Sequence, residues 1–81
     1  MTQDEKLYII GNYCKTFRTE ILKMTLQQFE TKTGSKVKTI SSFENGKSTN
    51  VLHILKYLDL CPTSETRIQY LKGLNKILGG L

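Results

Sequence analysis

The stretch TLQQFETKTGSKVKTISSFENGK, from Thr25 to Lys47, constrains the fold more than any other part of the chain. It reads as two short helices around one glycine. Thr25 and Gln28 form a capping box, in which each side chain accepts a hydrogen bond from the other residue's backbone N–H, and Met24 can staple against Phe29. Gly34 suits a helix that ends in the left-handed conformation. Ser35 is expected to cap the next helix, with Val37, Ile40 and Phe43 on its inner face and Asn45-Gly46 as its stop. The joint Thr33-Gly34-Ser35 is so short that the two helices meet at a sharp corner. Helices this short draw their stability from packing, so the rest of the chain must cover Phe29, Ile40 and Phe43.

The flanking segments can supply that cover. Leu7, Ile10, Cys14, Phe17 and Ile21 step by threes and fours along one face of a first helix, and Thr2 with Glu5 repeats the capping box. A fourth helix is expected over about 50–59 with Val51, Ile54, Leu55 and Leu58 inward. Cys61-Pro62 breaks the chain. A fifth helix follows over about 64–78, started by Thr63 or Ser64, with Ile68, Leu71, Leu74 and Leu78 on one side and Gly79-Gly80 as its end. No run alternates as a strand would. Residues 1–81 therefore read as a single all-α domain of five helices around a modest core. The 38% hydrophobic content is too high for a disordered chain. With no signal peptide and no apolar run of spanning length, the expectation is a soluble, cytoplasmic protein with no membrane partner.

Charge singles out the same stretch. The chain carries 12 Lys and Arg against 7 Asp and Glu, a net charge of +5. Between Lys32 and Lys47 lie Lys32, Lys36, Lys38 and Lys47, opposed only by Glu44, so more than half of the excess falls there. The outer face of the third helix would show Lys36, Lys38, Thr39, Ser41 and Ser42. Lysines and short hydroxyls suit phosphates and base edges. A lysine at the start of a helix opposes the helix dipole, and an anionic ligand there would offset that cost. The alternative is an ordinary solvated face. Elsewhere the chemistry is sparse. Cys14 and Cys61 are too few for a zinc site or a disulfide framework and read as buried, inert thiols. His53 has no Cys, Asp or Glu spaced to share a metal with it and reads as an exposed or satisfied histidine, so no metal or cofactor is expected. No nucleophile–base pair, phosphate loop or paired acids appear, so the chain does not read as an enzyme.

From about Ile10 to Leu58 the sequence resembles the phage repressor/Cro, or xenobiotic-response-element, helix-turn-helix family. The resemblance rests on Phe17-Arg18, Met24-Thr25, Phe29, Lys32-Thr33-Gly34-Ser35 and the ending Ile40-Ser41-Ser42-Phe43-Glu44-Asn45-Gly46-Lys47. The spacing from Thr25 to Lys47 is the family's without a gap. The resemblance implies a five-helix lambda-repressor-like domain with its helix-turn-helix at about 25–45, whose third helix enters the major groove. It implies base contacts from Val37, Lys38 and Ser42, and phosphate contacts from Lys36, Asn45 and Lys47. It also implies a structural ion pair between Arg18 and Glu44. Three features depart from the pattern. Leu26 stands where the family has a phosphate-binding Gln, and Glu30 stands where it has Ala. The segment between Arg18 and Thr25 is one residue longer and lacks the family's glycine.

These readings together describe a sequence-specific double-stranded DNA-binding transcriptional regulator, a small phage or mobile-element repressor with no effector domain. Its DNA-binding residues would be Lys36, Val37, Lys38, Thr39, Ser41, Ser42, Asn45 and Lys47. One recognition helix binds weakly, so a homodimer on an inverted-repeat operator is expected. Ile68, Leu71, Leu74 and Leu78 would form its interface, since one core is unlikely to bury every apolar residue of the fifth helix; the alternative is that they seal the core. Two other functions remain in view. One is an antitoxin or autoregulator of a two-gene element. The other is a protein-interaction module that masks a repressor or enzyme, which Leu26 and Glu30 favour.

Overall fold

Threonine starts three of the five helices in the computed structural model, which describes residues 1–81. Helix α1 spans Gln3–Thr16 behind Thr2, α2 spans Leu26–Thr33 behind Thr25, and α5 spans Ser64–Gly79 behind Thr63. Each cap is a full capping box, closed by Glu5, Gln28 and Thr66 respectively. Helix α3 spans Val37–Glu44 and α4 spans Ile54–Asp59, the latter led in by a 3-10 turn at Val51–His53. The chain contains no strand, and no helix is long and apolar enough to cross a membrane.

The segment between Arg18 and Thr25 carries two backbone irregularities. Residues Phe17–Ile21 form a π turn, in which the Leu22 N–H bonds the Phe17 carbonyl at 3.0 Å. Lys23 then takes a left-handed conformation, φ 56°, uncommon for a residue other than glycine. Phe17 and Arg18 both stay buried, while Ile21 swings out to the surface rather than continuing the inner face. Gly34 ends α2 at φ 79° as its sequence position suggests.

Ser35 does not cap α3. The N-cap is Lys36, in extended conformation and with no side-chain bond to the helix. The Ser35 hydroxyl is engaged by the Lys56 ammonium from α4 instead. Two further glycines set how α3 lies on α1. A Cβ on Gly11 would stand 2.3 Å from the Phe43 carbonyl oxygen, and one on Gly46 would stand 2.6 Å from the Tyr8 Cα. The end of α3 is therefore pressed backbone to backbone against α1.

The core gathers Ile10, Cys14, Phe17, Phe29, Ile40, Phe43, Tyr57, Cys61, Tyr70 and Leu74. Its centre is aromatic. Tyr70 lies 4.7 Å from Phe17, and Tyr57 lies 4.7 Å from Phe29, measured between ring centroids. Burying each such ring stabilises by roughly 1.5–3 kcal/mol. Burial also pushes the Cys14 thiol up to about 12, so it stays protonated and inert.

The inner faces of the last two helices differ from the aliphatic pattern. On α4 and its lead-in turn, the fully buried residues are His53 and Tyr57, while Val51 and Leu55 are exposed and Ile54 and Leu58 are half-buried. Tyr57 turns inward because its hydroxyl finds an acceptor, Glu44 Oε2, at 2.8 Å. On α5, Tyr70 and Leu74 face the core and Ile68, Leu71 and Leu78 do not. The Tyr70 hydroxyl donates to the Ile54 carbonyl at 2.8 Å, and the Tyr13 hydroxyl donates to the Tyr70 carbonyl at 2.8 Å. The second bond needs Gly73, where a Cβ would meet the Tyr13 oxygen at 2.3 Å.

Candidate functional site

The outer face of α3 is set by what its inner face holds. Glu44 turns inward and meets Arg18 in a bidentate pair, Nε to Oε2 at 2.8 Å and Nη2 to Oε1 at 2.9 Å. Arg18 Nη1 also donates to the Met24 carbonyl at 2.7 Å, and Tyr57 supplies a third donor to the carboxylate. Both charged side chains are buried, and the bond to Glu44 holds the guanidinium above its ordinary range. The ion pair implied by the family resemblance is therefore present and fully partnered. Its consequence for the surface is electrostatic: the one acidic residue of α3 is neutralised inside, which leaves the outer face of the helix without a carboxylate.

That face borders an open hollow of about 500 Å³, lined by Lys38, Thr39, Ser42, Lys47, Ser48 and Thr49. Two ammonium groups and four hydroxyls line it, and no apolar or acidic side chain does. Lys38 and Thr39 come from the first turn of α3, Ser42 from the next turn, and the last three from the segment after Gly46. Gly46, at φ 74°, reverses the chain so that this segment runs beside α3. Such a lining offers donors to an anion's oxygens and both donors and acceptors to a base edge.

Four of the eight expected DNA-binding residues thus meet in one place: Lys38, Thr39, Ser42 and Lys47. Lys36 is exposed beside the start of α3, and Val37 and Ser41 are half-buried, all outside the hollow. Asn45 is exposed but folds back on its own helix, its amide nitrogen donating to the Ser41 carbonyl at 2.8 Å. Ser48 and Thr49 escape a sequence reading that stops at the helix-ending Asn45-Gly46-Lys47; the unbroken polar run from Lys47 to Asn50 is the signal that extends it. Leu26 packs half-buried against the core, and Glu30 is half-buried with no salt bridge, so neither shapes the hollow.

The expected interface residues divide. Leu74 is only 8% exposed and belongs to the core, so it is not free for a partner. Ile68, Leu71 and Leu78 are 51%, 44% and 46% exposed. Of the two expectations for His53, exposed or satisfied, the second holds: it is buried, with Nδ1 3.0 Å from the Lys56 ammonium. No group of three His, Cys, Asp or Glu residues could hold a metal ion. No family model, curated protein or solved structure matches the chain.

Proposed function

We propose that the chain is a lambda-repressor-like helix-turn-helix protein that binds double-stranded DNA sequence-specifically and regulates transcription as a small repressor. The observation that carries this reading is the all-polar hollow, in which Lys38, Thr39 and Ser42 of α3 stand beside Lys47, Ser48 and Thr49 with no carboxylate among them. Its chemistry suits a phosphodiester backbone with adjoining base edges. In this role Lys38 reads guanine O6 or N7, Ser42 bonds a base edge, and Lys47 with the neighbouring hydroxyls holds phosphate. Arg18 and Glu44 are structural and fix α3 against α1. The exposed Ile68, Leu71 and Leu78 form the interface of a homodimer that sets two α3 helices on an inverted repeat, with half-sites about one helical turn apart.

The test is duplex DNA binding across a salt series. The log–log slope should be steep, about one unit per phosphate contacted. Lys38→Ala should weaken a selected duplex by about 1–3 kcal/mol and relax preference at one or two base pairs, whereas Lys47→Ala should weaken all duplexes alike. Equal losses on random and selected DNA for Lys38→Ala would remove it from base readout. The reading as a protein-interaction module has one observation in its favour, the exposed Val51, Leu52 and Leu55 beside the same loop. A module of that kind would show little salt dependence with DNA.

A further inference from the structure

His53 ends the 3-10 turn that leads into α4, and Lys56 stands one helical turn further on, within α4. His53 is 5% exposed, and its ring lies 5.3 Å from that of Phe43 on α3. Its Nδ1 is 3.0 Å from Lys56 Nζ. That contact is attractive only while the imidazole is neutral and Nδ1 accepts from the ammonium. The same ammonium donates to Ser35 Oγ. Ser35 lies in the corner between α2 and α3, and this is the one side-chain hydrogen bond that ties that corner to α4.

No carboxylate forms a salt bridge with His53 or Lys56, and the half-buried Glu30 of α2 forms none either. The single salt bridge of the chain joins Arg18 to Glu44, and the Glu44 carboxylate is further occupied by Tyr57. The other charged groups of α3 are Lys36 and Lys38, both exposed, and α4 adds Lys56 and the exposed Asp59.

We infer that Ser35, Lys56 and His53 form a proton-sensitive latch, which holds the α2–α3 corner on α4 at neutral pH and releases it in mild acid, weakening DNA binding. Its last clause rests on the proposed DNA-binding role. Protonation turns Nδ1 from acceptor to donor and sets two cations 3.0 Å apart. The ammonium then moves toward solvent and Ser35 loses its partner. What remains at the corner is the local bond from the Ser35 N–H to Thr33 Oγ1, at 3.2 Å. The corner carries Lys36 and Lys38, so their placement loosens with it.

Burial, and then the nearby Lys56, hold the imidazole below its ordinary range. The folded chain therefore binds this proton more weakly than the unfolded chain does. The associated stability is complete above the ordinary histidine value of about 6.5 and is lost as pH falls below it. The expected effect on DNA is opposite to that of charge alone, because an added positive charge ordinarily tightens binding to a polyanion.

The experiment follows duplex affinity, melting temperature and the His53 ring resonances of the full chain from about pH 7.5 to about 5.5 at fixed ionic strength, the range in which histidine titrates. The wild type should lose DNA affinity by roughly 5–10-fold toward acid, the low end of couplings between sites, and should melt at lower temperature. His53→Asn, which keeps an uncharged acceptor near the place of Nδ1, should be nearly flat in both. In Lys56→Met the histidine should titrate at higher pH than in the wild type. A wild-type affinity that is flat or rises toward acid overturns the inference, as does an unchanged His53 titration in Lys56→Met. The titration decides even if His53→Asn fails to fold. A chain that binds no duplex at any pH would instead defeat the DNA-binding reading, with the melt and the titration still judging the latch.

Discussion

The junction of α1 with α3 and the pairing of α4 with α5 solve the same problem in opposite ways. At the first, Gly11 and Gly46 let backbones touch, and a buried arginine and glutamate satisfy each other and their neighbours. No buried side-chain nitrogen or oxygen in the chain lacks a partner. At the second, one tyrosine hydroxyl, that of Tyr70 on the Ile54 carbonyl, fixes the contact, and Val51, Leu55, Ile68, Leu71 and Leu78 remain exposed. The saturated junction tolerates little change and fixes the direction of α3. The unsaturated pairing leaves an apolar surface, of the kind that marks an interface in a soluble protein. Buried polar pairing lies where α3 is held, and spare apolar area lies along α4 and α5.

The largest expected effect strikes the saturated side. Arg18→Ala strands Glu44 and should destabilise the fold by about 3 kcal/mol, since a buried charge left unpaired is costly. Replacing Arg18 and Glu44 together with apolar residues of similar volume should cost less, and adding Tyr57→Phe should recover more, because the tyrosine hydroxyl would otherwise lose its acceptor. Thermal and urea melts of the three variants give the ranking. A neutral Arg18→Ala would erase the contrast between the two regions.

Glycines sharpen the comparison at the next level. Gly11→Ala should cost about 2 kcal/mol, because the new methyl meets backbone oxygens of Phe43 and Glu44 that cannot yield as a side chain would. Gly34→Ala should cost about 1 kcal/mol, since its positive φ is unfavourable to alanine but the space around it is empty. If urea melts place Gly34→Ala above Gly11→Ala, the close approach of α1 and α3 is less tight than described.

Those two glycines also show what a sequence can and cannot disclose. Gly34 is legible because helix termination is local, as are the caps at Thr2, Thr25 and Thr63 and the stop at Asn45-Gly46. Gly11 is not, because its role depends on a partner far along the chain. Ser35 misleads for the same reason: its local pattern is that of a cap, yet a lysine from α4 engages it. The inner face of α4 is misread because counting aliphatic residues ignores Tyr57 and His53, whose polar tips find partners inside. The hollow is half legible. Lys38, Thr39, Ser42 and Lys47 follow from the helix and its stop, whereas Ser48 and Thr49 join them only once the chain reverses at Gly46.

The smallest effect on stability is expected on the unsaturated side. Ile68→Lys with Leu71→Lys changes exposed positions of α5, and surface changes of this kind stay within about 0.5 kcal/mol each. Leu74 is the wrong target, since it lies in the core and its loss would confound folding with assembly. The double variant should melt almost as the wild type does, yet elute as a monomer and lose affinity for an inverted repeat by orders of magnitude, while its binding to a single half-site is little changed. On the proposed DNA-binding reading, two weakly binding helices on a common two-fold axis gain affinity by being joined, and that gain disappears with the apolar contact. If the wild type itself elutes as a monomer at high concentration and binds one copy per site, the exposed face of α5 serves some purpose other than self-association.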